Sequence, residues 1–121
     1  TRTLGPNGPL VVTLYWRAQA PLTERYTAFV HVEDPGVVWA QKDTPPGCGT
    51  RPTDRWSVGA VVEDTYVLVL SQDTPAGQHL LVAGMYHPAT GARLPVLDGA
   101  GDQVSTALDL GTITYVNAPG G

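Results

Sequence analysis

Proline and glycine interrupt this sequence at short intervals, and their spacing limits what the chain can fold into. The 121 residues include 14 glycines and 11 prolines, which is about a fifth of the chain. Because 42% of the residues are hydrophobic and lie in dense blocks, a chain of this length can still bury one core. We therefore expect one domain over residues 1–121, with an ordered core at about 10–116 and flexible ends at 1–8 and 117–121.

Segments rich in β-branched and aromatic residues lie between those breaks and alternate with a period of two, which predicts strands. They cover residues 10–17, 26–33, 37–43, 60–70, 79–86, 93–97 and 104–116. The turn Asp34-Pro35-Gly36 predicts that 26–33 and 37–43 form an antiparallel hairpin. No helical period of useful length occurs. The sequence predicts an all-β fold, an antiparallel β-sandwich of about seven or eight strands, immunoglobulin-like or jelly-roll.

The alternation also predicts which strand faces build the core. Both faces of the segment 60–70 are apolar at its C-terminal end, which predicts that this end is covered on both sides or lies at a domain contact. Pro95 predicts that 93–97 is an edge strand. The predicted core residues are Val12, Leu14, Trp16, Tyr26, Ala28, Val30, Val32, Tyr66, Leu68, Leu70, Leu81, Ala83 and Met85.

Charge and composition exclude several classes of protein. The formal net charge of -4, with only seven Lys and Arg, argues against a nucleic-acid partner. A single cysteine, Cys48, excludes an intrachain disulfide framework. No apolar run approaches the roughly 18 residues that span a membrane, and no signal peptide is visible. Because the chain opens without Met and both ends resemble linkers, we expect a domain cut from a longer protein.

Carboxylates and histidines give weak signals for catalysis or metal binding. Asp64 lies on an apolar strand face. We favour a structural role, in which its carboxylate accepts a backbone N–H, over a catalytic one, in which it pairs with Asp43 or Asp54 as in a glycosidase. Asp98 and Asp102 flank an oxygen-rich turn and are weak calcium candidates. The three histidines are poorly spaced for a zinc site. We therefore predict no catalytic set, no metal centre and no cofactor.

Aromatic residues supply the candidate binding surface, because an exposed indole can stack on the C–H face of a sugar. Trp39 lies on a strand face that carries both apolar and polar residues. The pattern therefore favours neither a ligand-binding role nor a buried structural role for Trp39. Trp56 closes the long loop 44–55, and we favour the interpretation that it pins this loop to the edge of the sandwich. The candidate ligand-binding residues are Trp39, Trp56, Asp64, Tyr86 and His87.

Several segments of the chain together resemble one known family. The segments are Val12-Thr13-Leu14-Tyr15-Trp16-Arg17-Ala18, Tyr26-Thr27-Ala28-Phe29-Val30-His31-Val32, Pro52-Thr53-Asp54-Arg55-Trp56 with Gly59, Val62-Glu63-Asp64-Thr65-Tyr66, Pro75-Ala76-Gly77, Ala83-Gly84-Met85-Tyr86-His87-Pro88-Ala89-Thr90-Gly91 and Arg93-Leu94-Pro95-Val96. This set is similar to the C-terminal β-sandwich region of large multi-span membrane proteins of Chloroflexus-type bacteria. Those proteins are labelled glycosyltransferase family 39 or dolichyl-phosphate-mannose-protein mannosyltransferase-like. The resemblance covers about residues 10–116, and its motifs are specific to the sandwich. His79 and His87 depart from the Tyr and Asp that the family leads us to expect.

The resemblance implies an accessory module without chemistry of its own. In such proteins the transferase chemistry belongs to the membrane-embedded part, and the soluble domain lies outside the cytoplasmic membrane, where it can meet a carbohydrate or a protein partner. We therefore expect a non-catalytic extracytoplasmic domain of a membrane glycosyltransferase-like protein that binds a glycan or a partner. The alternatives are a small carboxylate-dependent glycoside hydrolase and a structural or assembly domain.

Overall fold

β-Strands provide nearly all of the regular structure in the computed structural model, which describes residues 2–5 and 8–116. These residues include no α-helix, only two short 3-10 segments at Pro46–Gly49 and Thr53–Arg55, and none belongs to a helix of the length and apolarity that crossing a membrane requires. The predicted all-β class is confirmed for this part of the chain. The nine strands are β1 (Arg2–Leu4), β2 (Pro9–Arg17), β3 (Thr27–Asp34), β4 (Val37–Thr44), β5 (Val61–Val69), β6 (Gly77–Tyr86), β7 (Val96–Leu97), β8 (Gln103–Ser105) and β9 (Leu108–Tyr115).

Five of these strands form the main sheet, in the order β1-β9-β6-β3-β4. β1 runs parallel to β9 and the other neighbours are antiparallel, so the sheet is mixed, and it curls. β2 and β5 form a separate antiparallel pair, which we call the ribbon, and β7 and β8 form a third, short pair. The described residues thus form a curled mixed sheet with two small ladders, which is not clearly the antiparallel sandwich that the sequence predicts.

The predicted hairpin between the second and third sequence segments is confirmed. β3 and β4 are antiparallel and pair from Ala28↔Thr44 to Asp34↔Val37, with a bulge after Val32. Gly36 has a φ of 81° in the connecting turn, a left-handed conformation that glycine adopts without a steric penalty. Proline followed by glycine at the two central positions suits such a turn.

Residues 2–4 form β1, although the sequence predicts a flexible end over residues 1–8. Leu4 is buried, pairs with Tyr115, and its carbonyl accepts the Val116 N–H at 2.8 Å. The Gly8 N–H donates to the Gly5 carbonyl oxygen at 3.0 Å. A strand of three residues is too short to show a hydrophobic period, so the sequence does not reveal it. The rest of the predicted flexible ends (residues 1, 6, 7 and 117–121) lies outside the described residues.

The core lies between the main sheet and the inward face of the ribbon. Of the predicted core, five residues are only partly buried, but they pack against the rest, so the predicted strand faces are correct. They are Val12, Leu14, Trp16, Tyr26 and Leu81. Leu10 and Ile113, which lie within predicted strands but are absent from the predicted core, are also buried in this cluster.

The C-terminal end of β5 is buried on one face only. Tyr66 and Leu68 are buried, whereas Val67 and Val69 on the opposite face are each 53% exposed. The prediction that both faces are covered is therefore wrong for this chain by itself, since the ribbon has a neighbouring layer on one side only. The alternative, that this end of β5 lies at a contact with another domain, stays a prediction.

The outer face of β3 and β6 also buries side chains. Phe29, His31 and Val82 are buried there, and the Arg93 guanidinium lies 4.3 Å from the centre of the Phe29 ring. Gly84 pairs with Phe29, and a Cβ at this position would lie 2.7 Å from two carbons of that ring. Glycine at position 84 therefore makes room for the aromatic ring.

Replacing Gly84 with alanine tests this close packing. We expect Gly84→Ala to lower the free energy of unfolding by about 1–3 kcal/mol, because the added methyl group displaces a fully buried ring. Gly99→Ala is the matched control, since a Cβ at position 99 meets nothing within 4 Å, and its effect should stay within about 0.5 kcal/mol. Denaturant unfolding measures both variants, and equal stabilities would contradict the packing argument.

Candidate functional site

A buried threonine holds the long loop between β4 and β5 to the rest of the chain. The Thr53 hydroxyl donates to the Glu24 carbonyl oxygen at 2.6 Å and accepts the Tyr26 N–H at 3.0 Å. Thr53 is fully buried, so the two bonds satisfy backbone groups that the interior would otherwise leave unpaired. They join the middle of the loop to the segment that leads into β3.

Asp64 anchors the start of the same loop from β5. Its carboxylate accepts the Gly47 N–H at 3.0 Å, and Gly47 has a φ of 63° that suits glycine. Burial raises the pKa of the Tyr66 hydroxyl, and the neighbouring Asp64 carboxylate raises it further. The same hydroxyl accepts the Trp16 indole N–H at 3.1 Å. In this structure Asp64 therefore acts as a loop anchor next to a buried phenol.

Trp56 closes the loop at its far end. Its indole N–H donates to the Arg51 carbonyl oxygen at 2.7 Å, and its half-buried ring packs against the core. Part of the side chain also lines a cleft beside the loop. Trp56 thus pins the loop and contributes to a surface that a ligand can reach.

The cleft has a volume of about 510 Å³ and lies between the long loop and the start of β5. We call it the loop cleft. Its volume lies within the range of about 300–1,000 Å³ that is typical of small-molecule sites. None of the described residues that line it is acidic. The side chains that determine its chemistry are Arg25, Thr50, Arg51, Arg55, Trp56 and Ser57.

Positive charge is concentrated in the loop cleft. Three of the seven Lys and Arg of a chain with net charge -4 line it. Arg25 is neutralised, because its Nε donates to the two carboxylate oxygens of Asp54 at 3.1 and 3.0 Å. Within residues 2–5 and 8–116, neither Arg51 nor Arg55 has a carboxylate within 4.0 Å. Two arginines without a carboxylate partner therefore line the loop cleft, an arrangement that attracts anions.

Trp39 belongs to a separate network around His79, which is buried. The ring nitrogens of His79 lie 2.6 Å from an Asp34 carboxylate oxygen and 2.7 Å from the Pro75 carbonyl oxygen. The Trp39 indole N–H donates to the same Asp34 oxygen at 2.9 Å. The hydrogen bonds from Trp39 and His79 hold the pKa of the Asp34 carboxyl below its ordinary value. This network ties the β3–β4 turn to the start of β6.

Tyr86 belongs to a second network, across β3, β4 and β6. Its hydroxyl donates to one Asp43 carboxylate oxygen at 3.0 Å, and the other lies 2.9 Å from His31 Nε2. Burial and the Asp43 carboxylate raise the pKa of Tyr86. The His31 Nδ1 is buried without a hydrogen-bond partner among the described residues, with a Glu33 oxygen 3.5 Å away. His31 is buried, whereas the hydrogen bond between Tyr86 and Asp43 lies at the exposed surface.

His87 makes local contacts at the turn after β6. Its Nε2 lies 3.2 Å from a Glu24 carboxylate oxygen, and its Nδ1 accepts the Ala89 N–H at 3.2 Å. The ring also meets Tyr26 edge to face, with the ring centroids 6.1 Å apart. These contacts fasten the turn to the segment that precedes β3.

The weak calcium candidates lie in a turn that uses one of the two carboxylates internally. The Asp98 carboxylate accepts the N–H groups of Ala100 at 2.9 Å and of Asp102 at 3.0 Å. In the part of the chain that the structure describes, no group of three or more His, Cys, Asp or Glu is arranged to hold a metal ion. The turn chemistry by itself accounts for the aspartate at position 98.

The structure does not bring the five predicted ligand-binding residues into one site. Among them, Trp56 lines the loop cleft, whereas Asp64 anchors the loop from behind. Trp39 belongs to the His79 network, and Tyr86 and His87 make the other contacts described above. Comparison with known proteins finds no family model, no curated protein and no solved structure that matches the chain.

Sequence reasoning missed the three arginines of the loop cleft. Arg51 and Arg55 lie on either side of Thr53, and Arg25 lies in a different segment of the chain. The bond between Thr53 and the Glu24 carbonyl brings the two segments together. One signal in the sequence could have indicated them. Two of the seven Lys and Arg fall within five residues of a loop that ends in tryptophan.

The pH dependence of stability tests the Asp34 network. Because the pKa of Asp34 is lower in the folded chain than its ordinary 3.8, its contribution to stability is present in full above that value and is lost as the pH falls through the lower folded value. We expect Asp34→Asn to be less stable than the natural chain at pH 6, with a difference that shrinks below about pH 4.

Asp73→Asn is the matched control, because the Asp73 carboxylate makes no hydrogen bond among the described residues. Its stability difference should be small at every pH. Urea unfolding between pH 2 and pH 7 measures all three chains, and a difference for Asp34→Asn that stays constant with pH would contradict the account.

Proposed function

We propose that this chain is a non-catalytic accessory domain of a membrane glycosyltransferase-like protein, located outside the cytoplasmic membrane, and that it binds a glycan in the loop cleft. The observation that carries the binding role is the loop cleft itself. It combines a volume of about 510 Å³ with an indole ring and two hydroxyl groups, on Thr50 and Ser57. Saccharide sites combine these features, since an aromatic ring stacks on the sugar and polar groups bond its hydroxyls.

The parent protein and the location are proposed from the family resemblance. The segments that carry it include Arg55 and Trp56, which line the loop cleft, and Thr53 and Asp64, which anchor its loop. The finer architecture is part of the same proposal. The ribbon and the main sheet bury one core between them, and we take them as the two layers of an immunoglobulin-like or jelly-roll sandwich whose ladders are incompletely joined.

Binding is favoured over hydrolysis because the three carboxylates considered for a glycosidase pair are already engaged. Asp64 accepts a backbone N–H from the loop, Asp54 accepts two hydrogen bonds from Arg25, and Asp43 bonds His31 and Tyr86. A glycosidase needs two carboxyl groups that flank one scissile bond with room for substrate and water. None of these three residues lines the loop cleft.

Tryptophan fluorescence on a panel of oligosaccharides tests the glycan proposal. We expect at least one saccharide to change the tryptophan emission of the natural chain, and the change should saturate as the saccharide concentration rises. The reason is that Trp56 would lose contact with water. Trp56→Phe should remove most of the change, since phenylalanine keeps an aromatic ring but reports little at tryptophan wavelengths, whereas Trp39→Phe should preserve it. Calorimetry measures the affinity in parallel.

Two results would contradict the proposal. One is silence across a broad panel of neutral and charged saccharides, and the other is a response that Trp39→Phe removes and Trp56→Phe keeps. Circular dichroism of each variant shows whether the fold is retained, so that a loss of binding is not confused with unfolding.

Assembly is the second candidate function, because the outward face of the ribbon exposes apolar side chains. Val67 and Val69 are half-exposed there, and Val11 and Tyr15 are 46% and 67% exposed. Light scattering separates the two candidates. A clean monomer at high protein concentration would count against assembly, whereas a concentration-dependent oligomer that Val67→Thr weakens would favour it.

A further inference from the structure

The charge of the loop cleft indicates which saccharides it selects. Of the residues that line it, three are arginines and none is acidic, although acidic residues outnumber basic ones by eleven to seven in the chain. Asp54, the neighbour of Arg55 in the chain, is bonded to Arg25. Arg51 and Arg55 therefore remain available to bind a ligand in the loop cleft.

We infer that the loop cleft binds acidic saccharides, whose anionic group lies against Arg51 and Arg55 while a sugar ring contacts Trp56. The inference rests on the proposed glycan-binding function and names its ligand class. Guanidinium groups bond a carboxylate through two parallel N–H donors, so a hexuronate unit presents a group of matching shape. The Thr50 hydroxyl donates to the Gly47 carbonyl oxygen at 2.6 Å, so it can only accept a hydrogen bond from the sugar, whereas the Ser57 hydroxyl can accept or donate one.

The position of the two arginines is fixed by the loop and does not depend on the ligand. The Arg51 N–H donates to the Pro46 carbonyl at 3.1 Å and the Arg55 N–H to the Pro52 carbonyl at 3.0 Å. Between them, Thr53 is fully buried. Because the backbone at both arginines is already ordered, binding an anion restricts only their side chains, which reduces the entropy lost on binding.

Trp56 adds a contact that a simple anion cannot use. Its indole N–H is occupied by the Arg51 carbonyl, so its orientation is set by the same residue that supplies one of the charges. A ligand with both an anionic group and a carbohydrate ring satisfies the arginines and the aromatic side chain together. A sugar-free anion such as phosphate satisfies only the arginines.

Calorimetry with charge-matched ligands tests this inference on the full chain. The probes are tetragalacturonate, its methyl ester, which keeps the sugar and removes the charge, and inorganic phosphate as the anion without a sugar. We expect tetragalacturonate to bind, the ester to bind at least about tenfold more weakly, and phosphate to bind more weakly than tetragalacturonate. The affinity for tetragalacturonate should fall as salt is raised, because the contacts are ionic.

Substitutions locate the binding. Arg51→Gln and Arg55→Gln should each lower the affinity for tetragalacturonate about tenfold. Lys42→Gln removes the same charge from an exposed residue of β4 that does not line the cleft, and it should leave the affinity unchanged. Thermal unfolding of each variant checks that the fold is retained.

The outcomes separate this inference from the function on which it rests. Equal affinity for tetragalacturonate and its ester would overturn the acidic-saccharide inference and leave glycan binding intact. Phosphate that binds as tightly as tetragalacturonate would overturn it as well, since the site would then recognise an anion without its sugar. If none of these probes binds but neutral saccharides from the panel do, the acidic-saccharide inference alone would be overturned. If no saccharide binds, both the inference and the glycan-binding proposal would be overturned.

Discussion

The loop cleft depends on one buried hydroxyl. Thr53 donates to the Glu24 carbonyl and accepts the Tyr26 N–H from inside the fold, so the segment that carries Arg51, Arg55 and Trp56 is tied to the segment that carries Arg25. Together with the Asp64–Gly47 and Trp56–Arg51 hydrogen bonds, these two bonds hold a loop rich in proline and glycine in a fixed position on the strands. A buried hydroxyl left without its partners would cost about 1–3 kcal/mol. The geometry of the cleft thus depends in part on hydrogen bonds made by Thr53, which does not itself line the cleft.

Charge distribution connects this loop to function more directly than net charge does. A net charge of -4 argues against polyanionic partners for the molecule as a whole, yet the cleft gathers three of its seven basic residues and no acidic one. At physiological ionic strength exposed charges act over roughly 8 Å, so a small anionic group in the cleft responds to these arginines and hardly to acids elsewhere. A chain with a net negative charge can therefore still attract a small acidic ligand into this cleft.

The strands could be predicted from the sequence because alternation and turn chemistry act locally. Val30, Tyr66 and Ala83 all lie on their predicted buried faces, and Gly36 lies in the predicted hairpin turn. Two kinds of feature could not be predicted. β1 is too short to show a period, and the sheet order follows from contacts between distant segments. The loop cleft is of the second kind, since the contact from Thr53 to Glu24 joins residues 29 positions apart. Of the candidate site, the sequence therefore predicted Trp56 and missed its arginines.

We propose that the loop cleft binds a saccharide through its arginines and Trp56, and a nuclear magnetic resonance titration of the isotope-labelled chain with tetragalacturonate tests this binding. Each of the three indole N–H signals is followed together with the backbone amides. We expect the Trp56 indole signal and the backbone amides of the non-proline residues in 49–57 to shift saturably, while the Trp16 and Trp39 indole signals do not move. Shifts centred on Trp39 and its neighbours, or no shift at any residue, would show that the loop cleft is not the binding site.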